Sequence, residues 1–293
     1  MLSIIYITMN RSEELKKSIL SCETRVSVPH EYVIIDNGST DNTEPMISGL
    51  KKSGLLINYF KQKKNMGVSE GRNIGYRLAK GDICYFIDDD AVVSTEGLII
   101  DKAYNYLDGH ADLYAMSTNC YDHKKNSYVV GGFSKKEKTF NATYVKGYTG
   151  FSHFISKTRY PKSYLYPNNL IYGSEELYFA LSAFKHGGKI WYYKEMLVEH
   201  FPSLNTRNTP YWQKKNAYIN TYVIKKYFYP QGVIWISSIF FAVRAFRNDS
   251  FKISGIKNYF IESRNRYDGQ FRDPLSISQY CKLIKTYRMM SIL

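Results

Sequence analysis

The sequence predicts an α/β fold: a mostly parallel central sheet flanked by helices, followed by a basic, aromatic, helical C-terminal extension. Three observations carry this reading. Apolar runs alternate with helix-spaced segments over residues 2–108. Several of those runs are apolar throughout, as in strands covered on both faces. The net charge of +14 is gathered at one end, residues 201–293 holding 15 Lys/Arg against 4 Asp/Glu.

The elements follow in order. "LSIIY" (2–6) is a strand, and "NRSEELKKSILSC" (10–22) a helix with Leu15, Ile19 and Cys22 on one face and Ser12 as its cap. "EYVIID" (31–36) is a strand that runs into the turn signal "NGSTDNT". A helix over 44–52, a strand "LLINYF" (55–60), a helix "VSEGRNIGYRLAK" (68–80), a strand "DICYFI" (82–87) and a helix over 94–107 complete the alternation. Residues 110–170 loosen into short strand-like and loop pieces. "SEELYFALSAFKHGG" (174–188) restores a helix, with Ser174 as cap, Glu175 and Glu176 in the first turn and Gly187 as stop. "KIWYY" (189–193) and "EMLVEH" (195–200) read as two more strands, and 211–229 as a Tyr/Lys-rich helix. "VIWISSIFFAV" (233–243) is too short to span a bilayer; it is either a buried core helix or a helix lying in a membrane interface. The domain reading is 1–205, with halves 1–108 and 109–205, and then an extension over 206–293.

Composition sets limits on function. Hydrophobic residues at 44% and charged residues at 23% describe a globular chain able to bury a core. Four scattered cysteines, with no CxxC pair, argue against a disulfide framework or structural zinc and for a reducing, cytoplasmic setting. "MLSIIYITMNR" enters a strand directly and does not read as a signal peptide. A near-neutral body with a basic aromatic tail implies that the tail meets something anionic, such as nucleic acid or an anionic membrane.

The chemistry lies at strand ends. In open α/β sheets ligands sit beyond the carboxyl edge of the strands. "TMNR" follows the first strand there, "DNGSTDNT" the second, and "DDDA" the strand at 82–87. Any one of these can be a simple turn, but three converging on one edge indicate a crevice. Asp88, Asp89 and Asp90 repel one another unless solvent or a cation surrounds them. Mg²⁺ or Mn²⁺ favours such hard oxygen ligands together with substrate phosphates. The alternative is a solvated acidic turn ahead of the next helix.

These motifs, "ITMNR", "VIIDNGSTDNT", "NMGVSEGRNIGYRLAKGD" and "YFIDDDA", in that order and spacing, resemble the nucleotide-sugar-binding half of glycosyltransferase family 2, the inverting family with the GT-A (nucleotide-diphospho-sugar transferase) fold. The resemblance implies the following roles. Thr8 and Asn10 line the nucleotide pocket, and Asp36 accepts the N3–H of a uracil or thymine ring. Asn65, Gly67, Arg72 and Asn73 close over the nucleotide, with Asp82 beneath it. Asp88 lies near the ribose, and Asp90, with His200 of "VEHFPS", holds a divalent metal (Mn²⁺ or Mg²⁺) on the diphosphate. Arg72 either adds to that charge stabilisation or is a solvated surface arginine. "GYTGF" (147–151) would lie under donor sugar and acceptor. The family's Glu-Asp pair falls on Glu175 and Glu176, so a glutamate stands where an aspartate base is expected. Glu176 is the leading candidate for that base and Glu175 the second; both also suit a helix N-terminus without any catalytic duty. Ser182 stands where an arginine often follows.

The implied function is transfer of a sugar from a UDP- or dTDP-sugar to an acceptor hydroxyl. The tract 207–230 resembles rhamnosyltransferase-like members. That implies a lipid-linked or oligosaccharide acceptor in surface polysaccharide or O-antigen synthesis, at the inner face of a plasma membrane whose anionic lipids attract the tail. Nucleic acid is not expected as a partner. Three alternatives stand beside this reading. A sugar nucleotidyltransferase would carry a Gly-rich loop after the first strand, which "TMNRSEE" lacks. A basic nucleic-acid-binding protein fits the tail but not the acidic crevice. An inactive transferase is left open by the departure at the base.

Overall fold

Strand β1 (Leu2–Thr8) pairs in parallel with β2 (His30–Asp36), from Leu2 opposite His30 to Thr8 opposite Asp36, and β2 pairs in parallel with β3 (Ile57–Lys61). On its other side β1 pairs in parallel with β4 (Ile83–Ile87). The computed structural model describes residues 1–130, 133–135, 147–202, 209–249 and 251–287. Helices α1 (Ser12–Glu23), α2 (Thr43–Lys52) and α3 (Gly67–Leu78) connect these strands as the alternation requires.

Beyond β4 the sheet is mixed. A short strand β5 (Ala91–Val93) and helix α4 (Ile99–Asp108) precede β6 (Leu113–Asp122), the hairpin strands β7 (Ser127–Val130) and β8 (Phe133–Lys135), and β9 (Ser152–Ser156). Strand β9 runs antiparallel between β4 and β6, β10 (Lys189–His200) runs parallel to β6, and β5 closes the order β3-β2-β1-β4-β9-β6-β10-β5. Two antiparallel pairings in succession restore direction, so the carboxyl ends of β1, β2, β4, β6 and β10 all face one edge.

Three local expectations change. The two strands expected at 189–193 and 195–200 are one strand, because an irregularity between Tyr193 and Leu197 absorbs the extra residues without ending the pairing with β6. The helix expected from 94 starts at Ile99, because Ser94 N and Thr95 Oγ1 are bonded to Leu197 of β10 and Gly97 turns the chain at φ +70°. Ser12 does not cap α1. The N–H of Ser12 instead donates to the Asp41 carboxylate (3.1 Å), so the cap comes from the loop after β2.

The core lies on the sheet faces. Tyr85 and Phe154, direct partners across β4 and β9, stack at 4.2 Å, while their neighbours Phe86 and His153 stack at 5.2 Å on the opposite face. Helix α3 lies so close to β1 that a Cβ on Gly75 would come within 2.5 Å of Ile5 Cγ2. Cys22, Cys84 and Cys120 are buried as free thiols, and Cys281 is exposed.

The chain divides into two compact units, 1–165 with 187–206, and 166–186 with 207–293. The segment 166–186 groups with the C-terminal helices. The second unit holds α5 (Glu175–Lys185), α6 (Pro210–Phe228), α7 (Gln231–Asn248), α8 (Ile253–Arg266) and α9 (Ile277–Tyr287). Its abundant aromatics pack on one another: Tyr222 stacks on Phe241 at 4.0 Å, and Tyr178 meets Phe228 at 5.1 Å. Arg266 is buried, bonded to Asn216, Asn220 and Glu262. Ser174 adopts a left-handed conformation, and its hydroxyl donates to Ala217 O rather than capping α5 (3.1 Å). Gly187 has the positive φ (+83°) expected of a helix stop.

The core reading of 233–243 fails. Helix α7 buries Ser237, Phe241 and Ala245, while Trp235, Ile236, Ile239, Phe240 and Val243 are exposed, Trp235 by 70%. Among the described residues, no helix is long and apolar enough to cross a membrane.

Candidate active site

The three parallel strands β1, β2 and β4 end in Thr8, Asp36 and the turn Asp88–Asp90, which places the polar loops of the sequence on one edge of the first unit. His200 arrives at the same edge at the end of β10, opposite Ala91 of β5 and Asp122 of β6. The backbone joins them further: Phe201 N donates to Asp90 O (2.9 Å).

The acidic run is not an exposed turn. Asp89 and Asp90 are buried. Asp90 Oδ1 lies 3.0 Å from His200 Nε2, and its Oδ2 accepts from Arg11 Nη1 (2.5 Å). Asp89 accepts from the same guanidinium nitrogen (2.9 Å) and from the Thr8 hydroxyl (2.8 Å), so it ties β1 to β4. Burial would raise Asp90, but the His200 hydrogen bond and the Arg11 charge outweigh it and hold the group below the usual carboxylate range. Asp89 is pushed up to about 7 by burial and by the neighbouring Asp90 charge, against the pull of Arg11. Burial disfavours the imidazolium of His200, yet its bond to Asp90 and the charges of Asp88 and Asp122 raise it overall.

Arg72 is 3% exposed and spans the site, Nη2 donating to Gly150 O (2.7 Å) and reaching Asp88 Oδ1 at 3.2 Å. The surface-arginine reading is therefore excluded. "GYTGF" also reaches the site: Phe151 O accepts from Asp88 N (3.0 Å), and the Phe151 ring stacks on His200 at 4.3 Å. Beneath Gly150, buried His153 is stacked between Phe86 and Tyr148. Burial first, and then the charge of Arg72, hold it well below its ordinary pKa, so it is a neutral floor.

The remaining expected residues divide. Asp36 is fully buried, accepting from Ser39 N (2.7 Å) and the Tyr59 hydroxyl (2.5 Å). Asn10, at φ +54°, accepts from Thr40 N (2.7 Å) and shapes the turn after β1. Asn65 accepts from Gly67 N (2.8 Å) at the start of α3. Asn73 turns elsewhere, its buried amide oxygen accepting from Leu165 N (2.9 Å). Asp82 is at the wrong edge: it precedes β4, whereas Asp88 follows it, about 20 Å away along an extended strand. It lies 3.3 Å from the Met1 amine instead. Glu175 and Glu176 open α5 in the helical unit, Glu175 buried and Glu176 half-buried.

Two site residues escape sequence reasoning. Arg11 lies inside the quoted "ITMNR", and an arginine one residue after an Asn in a strand-end turn is the available signal. Asp122, buried with its Oδ2 3.5 Å from His200 Nδ1, is brought in by the β6–β10 register and has no local signal.

Asp88, Asp90 and His200 offer ligand atoms that all lie within 4.8 Å of one another. Two carboxylates and an imidazole form a donor set that suits Mn²⁺, or Mg²⁺ with water and phosphate completing the shell. The residues present therefore fit a divalent cation.

The family model described as "Glycosyl transferase family 2" matches residues 3–164. The poly(ribitol-phosphate) β-N-acetylglucosaminyltransferase TarP of Staphylococcus aureus is 35% identical over 107 residues, 36% of this chain and 32% of that protein. The GalNAc(5)-diNAcBac-PP-undecaprenol β-1,3-glucosyltransferase of Campylobacter jejuni is 30% identical over 129 residues, 43% of this chain and 40% of that protein. The aligned part thus spans a third to two-fifths of the length of these two relatives. The fold is also that of the crystal structure of GalNAc-T7 with UDP, GalNAc and Mn²⁺, at TM-score 0.64 and 16% identity over 90% of this chain and 55% of that one.

Proposed function

As the chain belongs to glycosyltransferase family 2 and has the GT-A architecture, we propose that it is an inverting, metal-dependent transferase acting from a UDP- or dTDP-sugar onto an acceptor hydroxyl. The observation that carries this reading is the cluster of Asp88, Asp90 and His200 at the carboxyl edge of the sheet. Family membership decides between the enzyme readings in favour of glycosyl transfer over nucleotidyl transfer.

Each residue has a task. Asp36, at the end of β2, accepts the pyrimidine N3–H and so favours uracil or thymine. Thr8, Asn10, Asn65 and Gly67 shape the nucleotide pocket, and Asn73 supports it through the backbone at Leu165. Asp88 turns to the ribose. A divalent cation held by Asp90 and His200 would supply neutralisation of the charge that develops on the leaving diphosphate. Arg72 adds a fixed positive charge, held in place by Gly150 O. Arg11 balances Asp89 and Asp90 from the protein side. The acceptor oxygen bonds to the anomeric carbon, the bond from that carbon to the diphosphate breaks with its electron pair, and Glu176 takes the hydroxyl proton, with Glu175 as second candidate.

The acceptor in this reading is a lipid-linked or oligosaccharide chain in surface polysaccharide synthesis, and the protein works peripherally at an anionic cytoplasmic membrane face. The two relatives, a poly(ribitol-phosphate) N-acetylglucosaminyltransferase and a GalNAc(5)-diNAcBac-PP-undecaprenol glucosyltransferase, support a phosphate-bearing acceptor. The exposed apolar face of α7 beside Arg244 and Arg247 supports membrane contact.

Thermal stabilisation by UDP-, dTDP- and GDP-sugars with and without Mn²⁺ tests the donor reading. Stabilisation by uridine or thymidine donors only in the presence of metal is expected; stabilisation by GDP-sugars alone would remove the role given to Asp36. Flotation with phosphatidylglycerol liposomes at low salt tests the membrane reading, and a protein left entirely in the unbound fraction would end it.

A further inference from the structure

The helical unit contains a groove of about 1010 Å³, at a distance along the chain from every donor-site residue. Its walls come from α6 and α7 and the turn after α7. Lys214, Arg244 and Arg247 provide charge, and Tyr218, Phe240 and Phe251 provide apolar surface. Ser174 lines it too, and this residue immediately precedes the Glu175–Glu176 pair.

The positive charge there has no ion-pair partner among the described residues, although Asp249 follows the lining residue Asn248 and offsets part of it. The four acidic residues of 201–293 have other partners: Asp249 the Tyr211 hydroxyl, Glu262 Lys215 and Arg266, Asp268 Gln270, and Asp273 Lys185 and His186. Among the described residues no carboxylate pairs with Lys214, Arg244 or Arg247. The side chain of Arg244 is held over the Tyr218 ring at 5.1 Å, which fixes its direction. Lys225, on the same helix as Tyr218, is pulled down to about 8 by burial and then by the charge of Arg244. Three exposed cations without an ion-pair partner around one groove, with a single carboxylate beside them, suit an anion of more than one charge. The exposed Phe240 and Phe251 in the wall, continuous along α7 with Ile236 and Ile239, call for an attached hydrocarbon.

We propose that this groove is the binding site for the diphosphate end of a polyprenyl-type lipid, the carrier of the acceptor. This rests on the transferase reading and deepens it. Charge complementarity selects the diphosphate, the aromatic wall selects the lipid over a free anion, and Ser174 puts the bound head next to the helix start that carries the base.

Calorimetric titration of the full chain with farnesyl diphosphate, without nucleotide or metal, tests the assignment. Saturable binding is expected, at least tenfold tighter than for inorganic pyrophosphate, and lost by tenfold or more in Arg244→Ala/Arg247→Ala. UDP binding with Mn²⁺, measured on the same variant, should be unchanged, which separates this proposal from the donor reading. Equal affinity for pyrophosphate and farnesyl diphosphate would overturn the lipid assignment. Unaltered farnesyl diphosphate binding in the double variant would overturn the groove. Binding to phosphatidylglycerol vesicles without saturable farnesyl diphosphate binding would make this surface a membrane contact only, and would equally overturn it.

Discussion

His200 Nε2 stands 3.0 Å from Asp90 Oδ1, and the other ring nitrogen stands 3.5 Å from Asp122 Oδ2. Nδ1 makes no hydrogen bond at that distance, so Asp122 acts on the ring through its charge, one of those that raise the His200 pKa. Asp122→Asn keeps the bond to Lys125 N (2.9 Å) but loses the charge behind the ring. Its expected effect is a loss of Mn²⁺-dependent donor affinity of about 10–100-fold. Calorimetry with UDP at several Mn²⁺ concentrations reads this directly, and an unaltered metal dependence would make Asp122 a purely structural residue.

Glu176→Gln tests the base. The amide is isosteric and takes no proton, so turnover should fall by about 10²–10⁴-fold while donor affinity is kept. Glu175→Gln should cost far less, and the reverse order of effects would move the base to Glu175. Steady-state kinetics with separate donor-binding measurements distinguishes these outcomes.

The packing of α3 on β1 is tested by a pair of glycines. A methyl on Gly75 meets Ile5 Cγ2 at 2.5 Å, so Gly75→Ala should destabilise by about 1–3 kcal/mol despite the better helix propensity. Gly49, exposed in α2 with nothing within 4 Å of its Cβ position, should gain about 0.5–1 kcal/mol on the same change. Melting temperatures of the two variants should move in opposite directions.

Lys225 provides a pH signature. Its folded pKa of about 8 lies below the ordinary 10.5, first because of burial. Between those two values the unfolded chain binds more protons than the folded one, so this group makes stability rise with pH across that window and leaves it flat below. Lys225→Met should remove that rise. The difference between wild-type and variant melting temperatures at pH 7, 8.5 and 10 isolates the effect from other titrating groups, and a constant difference would contradict it.

The early strands and helices were legible because each is decided by its own residues: "LSIIY", "EYVIID" and "DICYFI" are apolar on both faces, and turn residues punctuate them. The donor edge was legible for the same reason, since parallel strands deliver their end loops to one side. What could not be read depends on pairing at a distance. Asp122 enters through the β6–β10 register, Ala91–Val93 becomes a strand only because β10 lies beside it, and the α1 cap is Asp41 from another loop. Asp82 shows the converse error. The family resemblance placed it beneath the nucleotide, while a single extended strand carries it and Asp88 to opposite edges. Helix α7 was ambiguous because apolar content alone does not say whether a partner covers it.

The central claim is that Asp90 and His200 hold the donor diphosphate through a divalent cation, with Asp88 beside them at the ribose. Calorimetric titration of UDP into the full chain, with Mn²⁺ and then with a chelator, tests it most directly, with Asp90→Asn run alongside. Saturable binding that needs Mn²⁺ and is lost in Asp90→Asn is the expected result. UDP binding of equal strength in the chelator, or in Asp90→Asn, would contradict the account.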